Sequence, residues 1–117
     1  MKITLKGQVR GGKNNMIVTR AGLRFPKKSW ALWRDAAVAE VRKQLPTGWQ
    51  PIATDTLIEF SYVAGDRRRR DMPAIIDAVF HVLEKAGFVT DDTLLWVAVS
   101  SRVYSKEFPG VTINVIP

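Results

Sequence analysis

Between Gly65 and Asp92 the chain reads GDRRRRDMPAIIDAVFHVLEKAGFVTDD. Four consecutive arginines, Arg67, Arg68, Arg69 and Arg70, run straight into Asp71, and two more acids, Asp91 and Asp92, stand side by side at the far end. Guanidinium groups hold phosphates, both as charges and as planar hydrogen-bond forks. Carboxylates hold hard divalent cations, which stabilise the attacking and leaving oxygens of a displacement at phosphorus. Together they suit cleavage of a phosphodiester. The chain has no cysteine and one histidine, so thiolate and His-cluster metal sites are excluded. Any metal must be held by oxygens, which points to Mg²⁺ or Mn²⁺.

The charge of the whole chain fits such a partner. Its 18 Lys+Arg against 11 Asp+Glu give a net charge of +7, which favours a polyanion. The excess is uneven: residues 1–50 hold 11 basic and 2 acidic side chains, residues 51–117 hold 7 and 9. The acids therefore collect where a cation site would need them. With 117 residues, 46% of them hydrophobic, the chain suits one domain, 1–117, with a single core. No apolar run approaches 18 residues, and the amino terminus lacks a signal-peptide core, so the expected setting is a cytosol with no membrane partner.

Elements to position these residues can be read in order. Residues 2–9 alternate as a half-buried strand, Gly11-Gly12 break it, and Arg10, Lys13, Asn14 and Asn15 form a basic, amide-rich loop. Met16 to Thr19 is a short second strand, with Ala21-Gly22 as a turn. A helix beginning near Pro26 to Ser29 runs to about Leu45, stopped by Pro46-Thr47-Gly48, with Trp30, Trp33, Ala37, Val41 and Leu45 facing the core. Asp55 to Val63 is a third strand. A second helix spans about Pro73 to Ala86, with Pro73 at its start and Gly87 past its end. Leu94 to Val103 and Val111 to Ile116 complete the order ββαβαββ, an α/β domain with a mixed β-sheet and two main helices.

The stretch 65–92 resembles the RusA family of Holliday junction resolvases, typical of lambdoid prophages. That family runs from a strand through an Arg-rich segment into Asp-x-Asp-Asn, then a helix carrying a lysine, then an Asp-Asp pair opening the next strand. A looser likeness extends to the amino-terminal half, through the loop Gly11 to Asn15 and the helix entry Lys28-Ser29-Trp30. The resemblance implies a homodimeric, Mg²⁺-dependent endonuclease that nicks four-way DNA junctions symmetrically in a bacterial host cytosol. It places the family's catalytic acids on Asp71 and Asp92, with Asp91 beside them. From the residues themselves, Arg67 to Arg70 are expected to contact DNA phosphates, against a solvated loop as the alternative, and Lys13, Asn14 and Asn15 to touch DNA near the junction centre, against a mobile basic loop. The second aspartate of the family pattern falls on Pro73, its asparagine on Ala74 and its lysine on Asp77.

Residues 73 and 77 are one helical turn apart on one face, so a carboxylate absent at 73 can be supplied from 77. Asp71, Asp77 and Asp92 are accordingly expected to form a three-carboxylate Mg²⁺ site. His81, four residues after Asp77, could join it, although a lone helical histidine is more often half-buried packing. Lys85 and Lys106 are candidates for the missing lysine. Trp49 and Trp96 are expected to pack, and apolar residues of the first strand or its following loop to contribute a dimer contact. A second reading keeps the RusA fold but binds branched DNA without cutting. A third, a basic RNA-binding module, lacks the aromatics on exposed strands that stack bases.

Overall fold

The alternation in TLIEFSYVA decides the centre of the molecule. In strand β4 (Thr56–Ala64), Ile58, Phe60, Tyr62 and Ala64 point into the core while Leu57, Glu59 and Ser61 face out. The computed structural model describes residues 1–10 and 16–117, and for 16–18 and 24–26 the course of the backbone only. In chain order the other elements are β1 (Lys2–Lys6), β2 (Met16–Val18), β3 (Arg24–Pro26), α1 (Lys28–Gln44), α2 (Met72–Lys85), a 3₁₀ turn (Asp92–Leu94), β5 (Leu95–Tyr104) and β6 (Gly110–Val115). The predicted order stands, with one addition: β3, which pairs antiparallel with β2. Lys13, Asn14 and Asn15 lie outside the described residues.

The main sheet has the order β1-β6-β4-β5. β6 pairs antiparallel with both β1 and β4, whereas β4 and β5 run parallel and are joined through α2. A parallel pair requires such a crossover, so the two ends of α2 lie towards opposite ends of the strands it connects. Both helices cover one face of the sheet. Ala37, Val38 and Val41 of α1 and Ile75, Ala78, Val79, Val82 and Leu83 of α2 form one cluster with Ile3, Leu5, Ile58, Phe60, Tyr62, Val111 and Ile113. Burying a valine, leucine, isoleucine or phenylalanine side chain contributes about 1.5–3 kcal/mol, and this cluster holds the helices to the sheet. Ile3 and Leu5 are thereby committed to the core, the buried side of the alternation read in residues 2–9.

The helix ends follow local rules. α1 stops because Leu45, placed before Pro46, is extended (φ −72°, ψ 133°). α2 stops in a Schellman turn: Gly87 at φ 81° donates its N–H to the Glu84 carbonyl, and the Phe88 N–H reaches the Leu83 carbonyl. Phe88 is then fully buried against Trp49, whose ring stacks on it at 5.7 Å. The expectation of packing holds for Trp49. It fails for Trp96, which is 57% exposed with its Nε1 donating to Asp55 Oδ1 at 3.1 Å. Trp96 pairs with the outward-facing Leu57 on the sheet face that no helix covers.

Candidate functional site

The Schellman turn delivers the chain to its acids. After it, the Ile52 N–H donates to the Phe88 carbonyl and the Thr90 N–H to the Ile52 carbonyl, which fixes where Asp91 begins. Asp91 Oδ1 accepts from the Thr93 N–H (2.9 Å) and hydroxyl (2.7 Å), capping the 3₁₀ turn. Those two bonds, the backbone one first, hold its carboxyl below the usual carboxylate range. The Asp92 N–H donates to Glu84 Oε1 at 3.3 Å. Glu84, Asp91 and Asp92 each offer a carboxylate oxygen, all within 4.8 Å of one another.

Asp92 is the strained member. Burial pushes its carboxyl above the usual range, and the charges of Glu84, Asp91 and Asp77 push it further, against an opposing effect of His81. An all-oxygen donor set whose members repel one another fits a hard divalent cation, which would relieve that repulsion. Asp77, His81 and Glu84 follow at i, i+4 and i+7 along one stripe of α2. His81 lies against Trp30, ring centroids 5.9 Å apart, and its Nε2 is buried without a hydrogen-bond partner among the described residues.

Of the four expected metal ligands, Asp91 and Asp92 thus come together. Glu84 joins them, and Asp77 faces them without entering the group within 4.8 Å. Asp71 stands apart. It is exposed at the start of α2, where its carbonyl accepts the Ile75 N–H and its carboxylate makes no capping bond. Thirteen residue steps along α2 separate it from Glu84, about 20 Å at 1.5 Å per residue. Glu84 had a faint signal in its spacing from Asp77, but nothing local showed that the chain would fold back on it.

The arginines occupy the Asp71 end. Asp66 binds Arg70 with both oxygens (2.6 and 3.0 Å) and also accepts the Arg68 N–H at 2.9 Å. Arg70 first, then that N–H, hold the Asp66 carboxyl down at about 2. The loop is anchored behind by Gln8, whose Oε1 accepts the Gly65 N–H at 2.8 Å while its Nε2 donates to the Tyr62 hydroxyl at 2.6 Å. A side chain at Gly65 would press on Gln8 Oε1 and Pro109, each 3.1 Å from its Cβ. The Arg67 guanidinium lies over the Tyr104 ring, 4.9 Å from the centroid. Arg68 and Arg69 are exposed and in no ion pair among the described residues. The four arginines are therefore not equivalent: Arg70 is a structural clasp, Arg67 rests on an aromatic ring, and Arg68 and Arg69 face solvent. Arg102 and Tyr104, unremarked in the sequence, line the same groove.

Among the described residues no helix is long and apolar enough to cross a membrane. No protein-family model matches the chain. Among curated proteins it is similar to the crossover junction endodeoxyribonuclease RusA of Aquifex aeolicus (strain VF5). The two are 25% identical over 104 residues, which cover 89% of this chain and 81% of that protein.

Proposed function

We propose that the chain is a RusA-type endonuclease that resolves four-way DNA junctions by paired, divalent-cation-dependent nicks in a bacterial cytosol. One observation carries this reading: an oxygen-only acidic group and an arginine-lined groove occupy the two ends of α2, in a chain similar along most of its length to a crossover junction endodeoxyribonuclease.

The acids Glu84, Asp91 and Asp92 would hold the cation, Mg²⁺ or Mn²⁺, with Asp77 adding negative charge beside them. Such an ion supplies a Lewis acid and an activated water. The rest is done by the chain. Arg68 and Arg69 hold strand phosphates, and Asp66, by clasping Arg70, keeps the loop in the shape that presents them. Asp71 is a helix length from the acids of its own chain, so a role for it at the same phosphate requires a second copy. A four-way junction is two-fold symmetric and needs two nicks, which a C₂ dimer matches. With α2 helices side by side and antiparallel, Asp71 and the arginines of one protomer meet Asp77, Asp91 and Asp92 of its partner.

A second reading rests on Pro73 and Asp77, which stand where the resemblance implies an acid and a lysine: the chain binds branched DNA and does not cut it. A synthetic four-way junction and a linear duplex of the same sequence, each with Mg²⁺, Mn²⁺ or EDTA, separate the two. Symmetric paired nicks on the junction alone, with either metal, support the first. Junction binding that is indifferent to EDTA, with no product in either metal, supports the second.

A further inference from the structure

Where β4 and β5 end in parallel, the sheet and the 65–70 loop enclose a groove of about 530 Å³. Crevices outside the carboxyl ends of parallel strands are where open α/β sheets seat ligands, and this volume lies within the range of small-ligand pockets. Five arginines line it: Arg67 to Arg70 from the loop and Arg102 from β5. Arg102 Nη1 reaches the Arg70 carbonyl at 3.5 Å, so the strand and the loop form one wall.

Charge alone would serve duplex phosphates, and it does not account for Tyr104. This side chain is 44% exposed at the end of β5, in register with Ala64, and it carries the Arg67 guanidinium on its ring. A guanidinium over a tyrosine is a flat, weakly hydrated surface suited to stacking. Bases stacked inside a duplex cannot reach such a surface. An unpaired base can, and stacking on an aromatic is tolerant of base identity.

We propose that this groove seats one unpaired DNA nucleotide, its base stacked on the Arg67–Tyr104 pair and its phosphate held by Arg102 with Arg68 or Arg69. The inference rests on the junction-nuclease reading and narrows it: at the branch point a nucleotide loses a stacking neighbour, and the groove offers it a replacement. Specificity for branching then comes from a base platform as well as from shape.

The test measures binding in EDTA to a duplex with one bulged 2-aminopurine, to the perfect duplex, and to a four-way junction. Wild-type protein is compared with Tyr104→Ala, Tyr104→Phe and Arg67→Ala. The expected result is a loss of about tenfold in affinity for the bulged duplex in Tyr104→Ala, with perfect-duplex affinity unchanged, Tyr104→Phe like wild type, and 2-aminopurine quenching present only where the ring is. Arg67→Ala leaves the strand intact and should reduce the same preference, which guards against misfolding of the tyrosine variant. Equal losses on bulged and perfect duplex, or no loss on either, overturn the proposal. A wild-type protein that prefers the bulge through Tyr104 but binds junctions no better than linear duplex upholds the seat and removes the junction reading.

Discussion

Asp66 clasps Arg70 with both carboxylate oxygens, at 2.6 and 3.0 Å, four residues apart in a run that otherwise reads as uniform positive charge. One arginine of the four is thereby taken out of competition for phosphate and made part of the loop. The geometry is bidentate, which a lysine could not reproduce.

The Asp66 carboxyl should therefore titrate near 2, against an ordinary value of about 3.9. Because the folded value is the lower one, the clasp contributes stability above the ordinary value and loses it as pH falls towards 2. Carboxyl-carbon NMR should show the low midpoint in wild type and its return towards the ordinary value in Arg70→Lys. A normal midpoint in wild type would remove the clasp.

The DNA contacts should divide unevenly. Arg68→Ala and Arg69→Ala should each lower the slope of log affinity against log salt by about 0.9 for duplex DNA, if each meets a phosphate. Arg70→Ala should change that slope less than either, while loosening the loop. Three equal slope changes would mean that Asp66 does not withhold Arg70.

Asp92 makes cation binding pH-dependent. Its carboxyl is raised by burial and by Glu84, Asp91 and Asp77, so it keeps its proton to higher pH than an ordinary aspartate, and cation affinity should climb as pH passes through that raised value. At neutral pH, Mg²⁺ or Mn²⁺ at about a hundred times Kd should raise Tm by on the order of 10 °C. Asp92→Asn and Glu84→Gln should abolish the rise, and Asp92→Asn should be the more stable of the two chains without metal. A rise that survives in both variants would place the cation elsewhere.

Much of the fold could be read from short stretches. The alternation in β4, the apolar stripe of α2, Pro73 at its start and Gly87 past its end are local signals, and each was met by the expected element. What escaped was non-local. β3 is three residues whose only reason to be a strand is its pairing with β2. Trp96 departs from the expected packing: a tryptophan in an apolar run suggests burial, whereas β5 is an edge strand on the uncovered face. The separation of Asp71 from Asp92 follows from β4 and β5 being parallel, and no spacing along the chain states which way two strands will run. Glu84 entered the acidic group through the turn at Gly87, which folds the chain back so that the Asp92 N–H meets its carboxylate.

Gly87 links these levels. At φ 81° an alanine meets no atom within 4 Å, so its cost is backbone strain alone, about 1–2 kcal/mol. Gly87→Ala should lower stability by that amount in a denaturant titration. It should also weaken cation binding, because the turn sets Glu84 against Asp92. Lost stability with unchanged cation affinity would separate the turn from the site.

If the acids of one protomer serve beside the Asp71 of its partner, two defective chains should repair each other. Mixed dimers of Asp71→Asn and Asp92→Asn should recover a single nick per junction, where either variant alone gives none. Continued silence of a mixture shown to contain mixed dimers would confine the site to one chain.

The most direct measurement is single-turnover cleavage of a four-way junction in Mg²⁺ and in Mn²⁺ by wild-type protein and by Asp92→Asn, with junction binding followed in parallel. Wild type should give paired, symmetric nicks, Asp92→Asn should lose at least a hundredfold in rate, and both should retain binding. A wild-type protein that holds the junction and leaves every strand whole in both metals would contradict the junction-nuclease reading.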